Sequence, residues 1–203
     1  MNSTLHDCIA RASRAVDLYD RATRSVEDML EGWLVGLTAR LVFASVLLNY
    51  YLNSAWTKIG DGSLGVLTPT DSAYVQILPS VMEAHGYDVS TISFLPWGLI
   101  VMAGTLAEVV LPILIVLGLF TRVSALGMIV FILVQSWVDI TFHGVDAATI
   151  GSLFDRDPGA PILDQRLLWL FLLLPLALNG AGRISLDTLV RRAIVRRVHP
   201  SAQ

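Results

Sequence analysis

The chain has 203 residues, of which 54% are hydrophobic and 15% are charged. Soluble domains carry about 25% charged residues, so this composition excludes an ordinary soluble domain. The net charge is −3 and the charges are segregated along the chain, which excludes a general nucleic-acid-binding surface. The one cysteine, Cys8, cannot form an intramolecular disulfide or a cysteine metal cluster, and we interpret it as a small apolar residue of an N-terminal helix.

The N-terminal segment, residues 1–32, precedes the apolar part of the chain. Apolar side chains recur at helical spacing between residues 4 and 31 and predict an amphipathic helix. Its opposite face mixes arginines with acids. Two interpretations stay open, a helix lying in the membrane surface and a helix packed on a partner subunit.

Four apolar stretches predict membrane-spanning helices, each of which needs about 20 residues. They lie at 33–53, 97–120, 123–142 and 165–182, within a transmembrane domain of residues 33–184. The fourth is the weakest, because its apolar run from Leu167 to Leu178 is long enough only if the helix continues through Gly182. The expected fold is therefore all-α, a polytopic membrane protein with an antiparallel four-helix bundle.

Basic residues predict the orientation of this bundle, because Lys and Arg concentrate on the cytoplasmic side of a membrane. The basic segments are residues 1–32, the connection between the second and third spans, and the tail, residues 185–203. The long loops hold Lys58, Arg156 and Arg166 against eight acids: Asp61, Asp71, Glu83, Asp88, Asp146, Asp155, Asp157 and Asp164. Four spans bring all the basic segments to one side, so we expect both termini in the cytoplasm.

The segments outside the spans carry further signals. Residues 54–96 contain a possible short helix, Tyr74 to Ala84, and residues 143–166 form a second long loop. Loops of this length tend to be functional or to cover another part of the protein. The tail predicts a basic amphipathic helix after an N-cap at Ser185, which would anchor the chain at the lipid surface.

Two ionisable residues lie deep within the predicted spans, where charge is costly and marks candidate functional sites. At about 1.5 Å per residue, Arg40 and Glu108 lie about 10 Å and about 15 Å from the cytoplasmic ends of their spans. The similar depth predicts an ion pair between them. The pair could simply lock two helices together, or Glu108 could accept a proton or orient a substrate.

A polar ridge runs along the third span, where Gln135, Asp139 and His143 follow one another at four-residue spacing. Asn49 and Asn53 of the first span lie at a comparable height, so these five side chains could line a small cavity that opens to the outer side. Asp139 and His143 alone do not make a metal site, and no metal is predicted. A hydrogen-bond network or a pocket for a quinone head group is the expected alternative.

The segment AEVVLPILIVLGLFTRVSAL, which contains Glu108 and Arg122, resembles the second-to-third-span signature of the DoxX family. The first span, with Arg40 and then Lys58, is similar to the opening helix of that family. The ending GAGRISLD resembles the family's closing motif through Gly180, Gly182, Ser185 and Asp187. The resemblance covers about residues 33 to 190.

The resemblance implies a bacterial inner-membrane protein with a four-helix core, in a family that includes subunits of membrane oxidoreductases with quinone as acceptor. We therefore expect a membrane subunit of a redox system that handles quinone or a small substrate, without a covalently bound cofactor. Its expected partners are the lipid bilayer and other subunits of a complex. The candidate binding residues are Arg40, Asn49, Asn53, Lys58, Glu108, Gln135, Asp139 and His143, and Arg122 and the closing motif are structural.

Two other functions stay open. The chain could be an accessory subunit that anchors or stabilises a larger complex without taking part in catalysis. It could also be a transporter of small molecules or metals, although four short spans leave one protomer little room to alternate. Whether the chain is an enzyme is not decided by its sequence.

Overall fold

The computed structural model describes residues 2–30, 32–62 and 64–198, and within these ranges the secondary structure is helical, without a strand. Four of the described helices are long and apolar enough to cross a membrane. They are span 1, Leu34–Trp56; span 2, Phe94–Leu117; span 3, Thr121–Thr141; and span 4, Pro161–Asn179. The predicted all-α, multi-pass membrane fold is confirmed.

The spans alternate in direction and give the bundle two different ends. The end where span 1 begins and span 4 finishes is called the terminal side, and there the Arg183 N–H donates to the Gly32 carbonyl at 2.6 Å. The short turn from Gly118 to Phe120, which joins spans 2 and 3, lies on the same side, since the Asp187 N–H donates to the Gly118 carbonyl at 2.8 Å. Both long loops belong to the opposite end, called the loop side.

The centre of the bundle is a close-packed apolar core. Its fully buried large side chains come from all four spans: Phe43, Leu47, Tyr51, Ile115, Met128, Ile132, Leu173 and Leu176. The outward surfaces are also apolar, with exposed side chains such as Val46, Val130 and Phe171. Such a surface is stable against lipid, and the helical backbone satisfies its own hydrogen bonds there.

Span 4 reaches its length in a different way from the predicted one. The expected helix over 165–182 was wrong at both ends, because the observed helix begins at Pro161 and finishes at Asn179. Gly180 adopts φ +83°, ψ −166°, which no helix continues through. Span 4 is extended instead at its loop-side end, where Pro161–Gln165 form a π-helical turn and Ile162 is buried.

Gly118 ends span 2 in a left-handed conformation, φ +69°, that favours glycine. A Cβ there would also lie 2.8 Å from Cζ of Arg40 and 2.8 Å from Cβ of Ser185. Span 3 then begins with its first N–H groups bound by Asp187, which accepts from the N–H groups of Phe120 at 2.7 Å and Thr121 at 3.0 Å. The closing motif thereby caps a span far from it in sequence.

One further helix precedes the four spans in the chain and another follows them. The N-terminal helix, Asn2–Leu30, carries exposed apolar side chains at Val16, Tyr19 and Val26, while the side chain of Cys8 lies outside the described part. The tail helix is Leu186–Val198. The predicted N-cap of this helix is confirmed, since Oγ of Ser185 accepts from the Thr188 N–H at 3.3 Å.

The loops contain short helices. In place of the single helix expected at Tyr74 to Ala84, there are two, Asp71–Ile77 and Pro79–Ala84, because the residue before a proline is driven out of the helical conformation. The other loop has the turn Ala147–Ile150, where Asp146 accepts from the Thr149 N–H at 2.7 Å. This bond lowers the pKa of the Asp146 carboxyl.

Candidate functional site

Lys58 and Glu108 form a buried ion pair near the loop side. Nζ of Lys58 lies 2.9 Å from Oε2 and 3.2 Å from Oε1 of Glu108. The same ammonium donates to Oγ of Ser54 at 2.8 Å and to the Ser54 carbonyl at 3.2 Å. The two charged side chains are only 6% and 3% exposed, so each charge depends on its partner.

The predicted pair between Arg40 and Glu108 is wrong. The guanidinium of Arg40 donates instead to backbone carbonyls near the terminal side, those of Ile115 (3.1 Å), Val116 (2.6 and 3.2 Å) and Ile184 (2.6 Å). Ile115 and Val116 belong to the last turn of span 2, where carbonyls lack the regular partner four residues further on, and the Ile115 carbonyl also accepts from the Gly118 N–H at 3.1 Å. Arg40 therefore fastens three segments together.

The direction of the side chains explains this exchange of partners. A side chain on a helix leans toward the N-terminus of that helix. Span 1 begins on the terminal side, so Arg40 leans toward that surface, and Lys58 reaches from beyond the span back into the bundle. Span 2 begins on the loop side, so Glu108 leans toward Lys58. Equal depth of the Cα atoms was therefore a poor criterion for pairing.

A second ion pair joins spans 3 and 4. Nη2 of Arg166 donates to Oδ2 of Asp139 at 2.6 Å, and its Nη1 donates to Oγ of Ser136 at 3.0 Å. Arg166 was expected in the second long loop, and this role was not predicted from the sequence. Two features of the sequence could have indicated the pair with Asp139. Arg166 directly precedes the fourth apolar run, and it lies at the same depth as the loop-side end of span 3.

The other ridge residues also have partners. Nε2 of Gln135 donates to the hydroxyl of Tyr50 at 3.3 Å. Nε2 of His143 lies 3.1 Å from the carbonyl oxygen of Gln76, in the loop helix Asp71–Ile77. This contact holds the loop helix beside the loop-side end of span 3.

Several of these side chains line a cavity of about 440 Å³, which is called the loop-side cavity. Its polar lining consists of Ser54, Lys58, Gln76, Glu108, Gln135, Asp139 and His143. Most of the remaining lining is apolar, including the exposed side chains Ile100, Val130 and Val134 on spans 2 and 3. Because these three side chains are exposed, the cavity reaches the outer surface of the bundle at spans 2 and 3.

Several buried polar atoms of this region have no hydrogen-bond partner among the described residues. Two belong to residues that line the cavity: Oε1 of Gln135, and Oε2 of Glu108, whose contact with Lys58 is an ion pair without a well-oriented hydrogen bond. The others are the Tyr51 hydroxyl, Oγ1 of Thr105 and Nε of Arg166. Buried polar atoms are almost always satisfied, so these atoms indicate a place for a polar ligand or water.

The first span contributes fewer residues to the cavity than expected. Arg40, Tyr51 and Lys58 are buried, and of these three Lys58 lines the cavity. Asn49 and Asn53 lie on the exposed surface and do not line the cavity. In the described part of the chain, no three His, Cys, Asp or Glu side chains converge as metal ligands.

Arg122 and the closing-motif residues Gly180, Gly182, Ser185 and Asp187 do not line this cavity. They lie together on the terminal side. A Cβ on Gly180 would lie 3.5 Å from Nε of Arg122, and Oγ of Ser185 donates to the Gly182 carbonyl at 2.8 Å. Asp187 caps span 3 as described above. This group connects the ends of three spans.

The model of the DoxX family matches residues 35–144, more than half of the 203-residue chain. The matched stretch includes Arg40, Lys58, Glu108 and the ridge on span 3, and it stops before span 4. No curated protein and no solved structure matches significantly.

Proposed function

This chain belongs to the DoxX family, and from that premise we propose that it is a membrane subunit of a redox system that binds quinone, or a similar small polar-headed molecule, in the loop-side cavity. The observation that supports this most directly is the unpartnered Oε1 of Gln135, which belongs to the lining of the same cavity as the buried Lys58–Glu108 pair. The volume of the loop-side cavity is within the range of about 300–1,000 Å³ that is usual for small-molecule sites.

The chemistry of the lining suits a quinone. Quinone carbonyls accept hydrogen bonds, and the Gln135 amide keeps one N–H besides the one that it donates to the Tyr50 hydroxyl. Quinol hydroxyls donate, and Oε1 of Gln135 and the Glu108 carboxylate are acceptors. Reduction of a quinone consumes two electrons and two protons; in this proposal a partner subunit supplies the electrons, and the exposed imidazole of His143, which lines the cavity, passes the protons between the solvent and the ligand. The lateral opening lets a lipid-soluble molecule enter from the bilayer.

Quinone binding can be tested with a quinone analogue and the protein in nanodiscs. Gln135→Leu and His143→Gln should each weaken the affinity about five- to tenfold, the effect of one lost hydrogen bond of about 1–1.4 kcal/mol. The matched controls are Asn53→Leu and His85→Gln, which change the same kinds of side chain outside the cavity. Unchanged affinity in both cavity variants, or equal losses in the controls, would exclude the loop-side cavity as the binding site.

An accessory role is the second candidate, and the N-terminal helix favours it. Several of its apolar side chains are exposed, among them Val16, Leu18 and Tyr19. Such a surface could lie on the membrane or pack on another subunit. A partner that co-purifies stoichiometrically in mild detergent, without bound quinone, would support this role over quinone binding.

We propose further that the protein resides in a bacterial cytoplasmic membrane with its terminal side in the cytoplasm. The basic residues at that side, such as Arg122, Arg183 and Arg191, support this orientation. Reporters fused before Asn2 and after Gln203 should then read cytoplasmic, and a reporter inserted after Asp155 should read external. An external reading at Gln203 would reverse the orientation.

A further inference from the structure

A second cavity, of about 540 Å³, lies on the terminal side and is lined by three arginines. Arg122 stands at the start of span 3, Arg183 follows span 4, and Arg191 belongs to the tail helix. All three are exposed. The fold thus brings together three cations from separate elements around one concavity, called the terminal-side cavity.

The charge of these arginines is not neutralised locally. Among the residues of ranges 2–30, 32–62 and 64–198, no hydrogen bond or ion pair engages the three guanidinium groups. The acid in the lining is Asp187. Its oxygens already accept from the N–H groups of Phe120 and Thr121 and from Oγ1 of Thr121 at 2.8 Å. The cavity therefore keeps an excess of positive charge.

We propose that the terminal-side cavity binds the phosphate head group of an anionic membrane lipid. Guanidinium groups form paired, charge-assisted hydrogen bonds to phosphate oxygens. Basic cavities at the ends of membrane helices lie at the level of the lipid head groups. Phe120 and Val123 also line the cavity and are 66% and 70% exposed, so the cavity continues into an apolar surface that an acyl chain can cover. A free phosphate ion would leave that surface unused.

The test uses the full chain in a neutral mild detergent, titrated with dioleoyl phosphatidylglycerol or dioleoyl phosphatidylcholine and read by native mass spectrometry. The wild type should bind the anionic lipid in preference to the zwitterionic one. Arg122→Gln, Arg183→Gln and Arg191→Gln should each weaken binding of phosphatidylglycerol about fivefold. The triple variant should lose the preference. If the triple variant does not fold, the three single variants decide.

The matched control is Arg192→Gln, which removes the same charge from the next position of the tail helix but does not line the cavity. It should keep the wild-type preference. Equal losses in Arg191→Gln and Arg192→Gln would mean diffuse attraction to the tail and would overturn the proposal. Unchanged lipid preference in the arginine variants would do the same. Displacement of the lipid by inorganic phosphate at comparable concentration would identify a site for a soluble anion instead.

Discussion

Replacing Lys58 with methionine is expected to lower the free energy of unfolding by about 3–5 kcal/mol, because it leaves the buried carboxylate of Glu108 without its counter-charge. The side chain of Glu108 is 3% exposed, so bulk water solvates the remaining charge poorly. Glu108→Gln should cost a similar amount by leaving Lys58 unpaired. Denaturant unfolding in detergent, followed by tryptophan fluorescence, measures both.

The double variant Lys58→Met with Glu108→Leu should recover most of this loss, since removing both charges also removes the cost of burying them. The control is the combination of Arg40→Met with Glu108→Leu, which should recover nothing, because Arg40 and Glu108 have separate partners. A Lys58/Glu108 double variant no more stable than either single variant would show that the ion pair does not hold the two spans together. If stability returns and quinone-analogue binding is lost, the pair also serves the ligand.

The bundle itself could be predicted because hydrophobicity and length decide whether a segment crosses a membrane. The four spans and the N-cap at Ser185 follow from local patterns. The end of span 4 could not be predicted this way, because it depends on the conformation of Gly180. Its closing segment lies against span 1, where a Cβ on Gly36 would come within 2.6 Å of the Ala181 carbonyl group, a contact that no local pattern indicates.

The cavity was partly predictable for a similar reason. The four-residue spacing of Gln135, Asp139 and His143 placed them on one face of span 3, and all three line the loop-side cavity. The partners of these residues depend on how the spans are arranged around one another, which one sequence does not specify. The role of Arg166 was therefore not predicted, and Asn49 and Asn53, which were expected to line the cavity, lie on the exposed surface.

Arg40 and Glu108, which the sequence predicted to pair with each other, have separate roles in the structure. Arg40 connects spans 1 and 2 with the closing segment through backbone carbonyls and lines neither the loop-side nor the terminal-side cavity. Glu108 lies at the loop-side cavity with Lys58. Substitutions of Arg40 should accordingly change stability far more than ligand affinity.

Arg40→Lys is expected to lower the free energy of unfolding by about 2–4 kcal/mol even though it keeps the charge. The guanidinium makes four hydrogen bonds to three carbonyls, two of them at 2.6 Å, and it is 9% exposed. A lysine ammonium is a compact point charge that cannot reproduce this planar fork. At least one of the carbonyls of Val116 and Ile184 would lose its donor.

The matched control is Arg156→Lys in the exposed loop, which should change stability by no more than about 0.5 kcal/mol. Gly118→Ala provides a second comparison, because its Cβ would lie 2.8 Å from Cζ of Arg40 and displace the same guanidinium. If both substitutions act on that contact, the double variant should lose less stability than the two single losses added together. An Arg40→Lys variant as stable as the Arg156→Lys control would show that the carbonyl contacts contribute little, and that the buried charge is held by something other than this network.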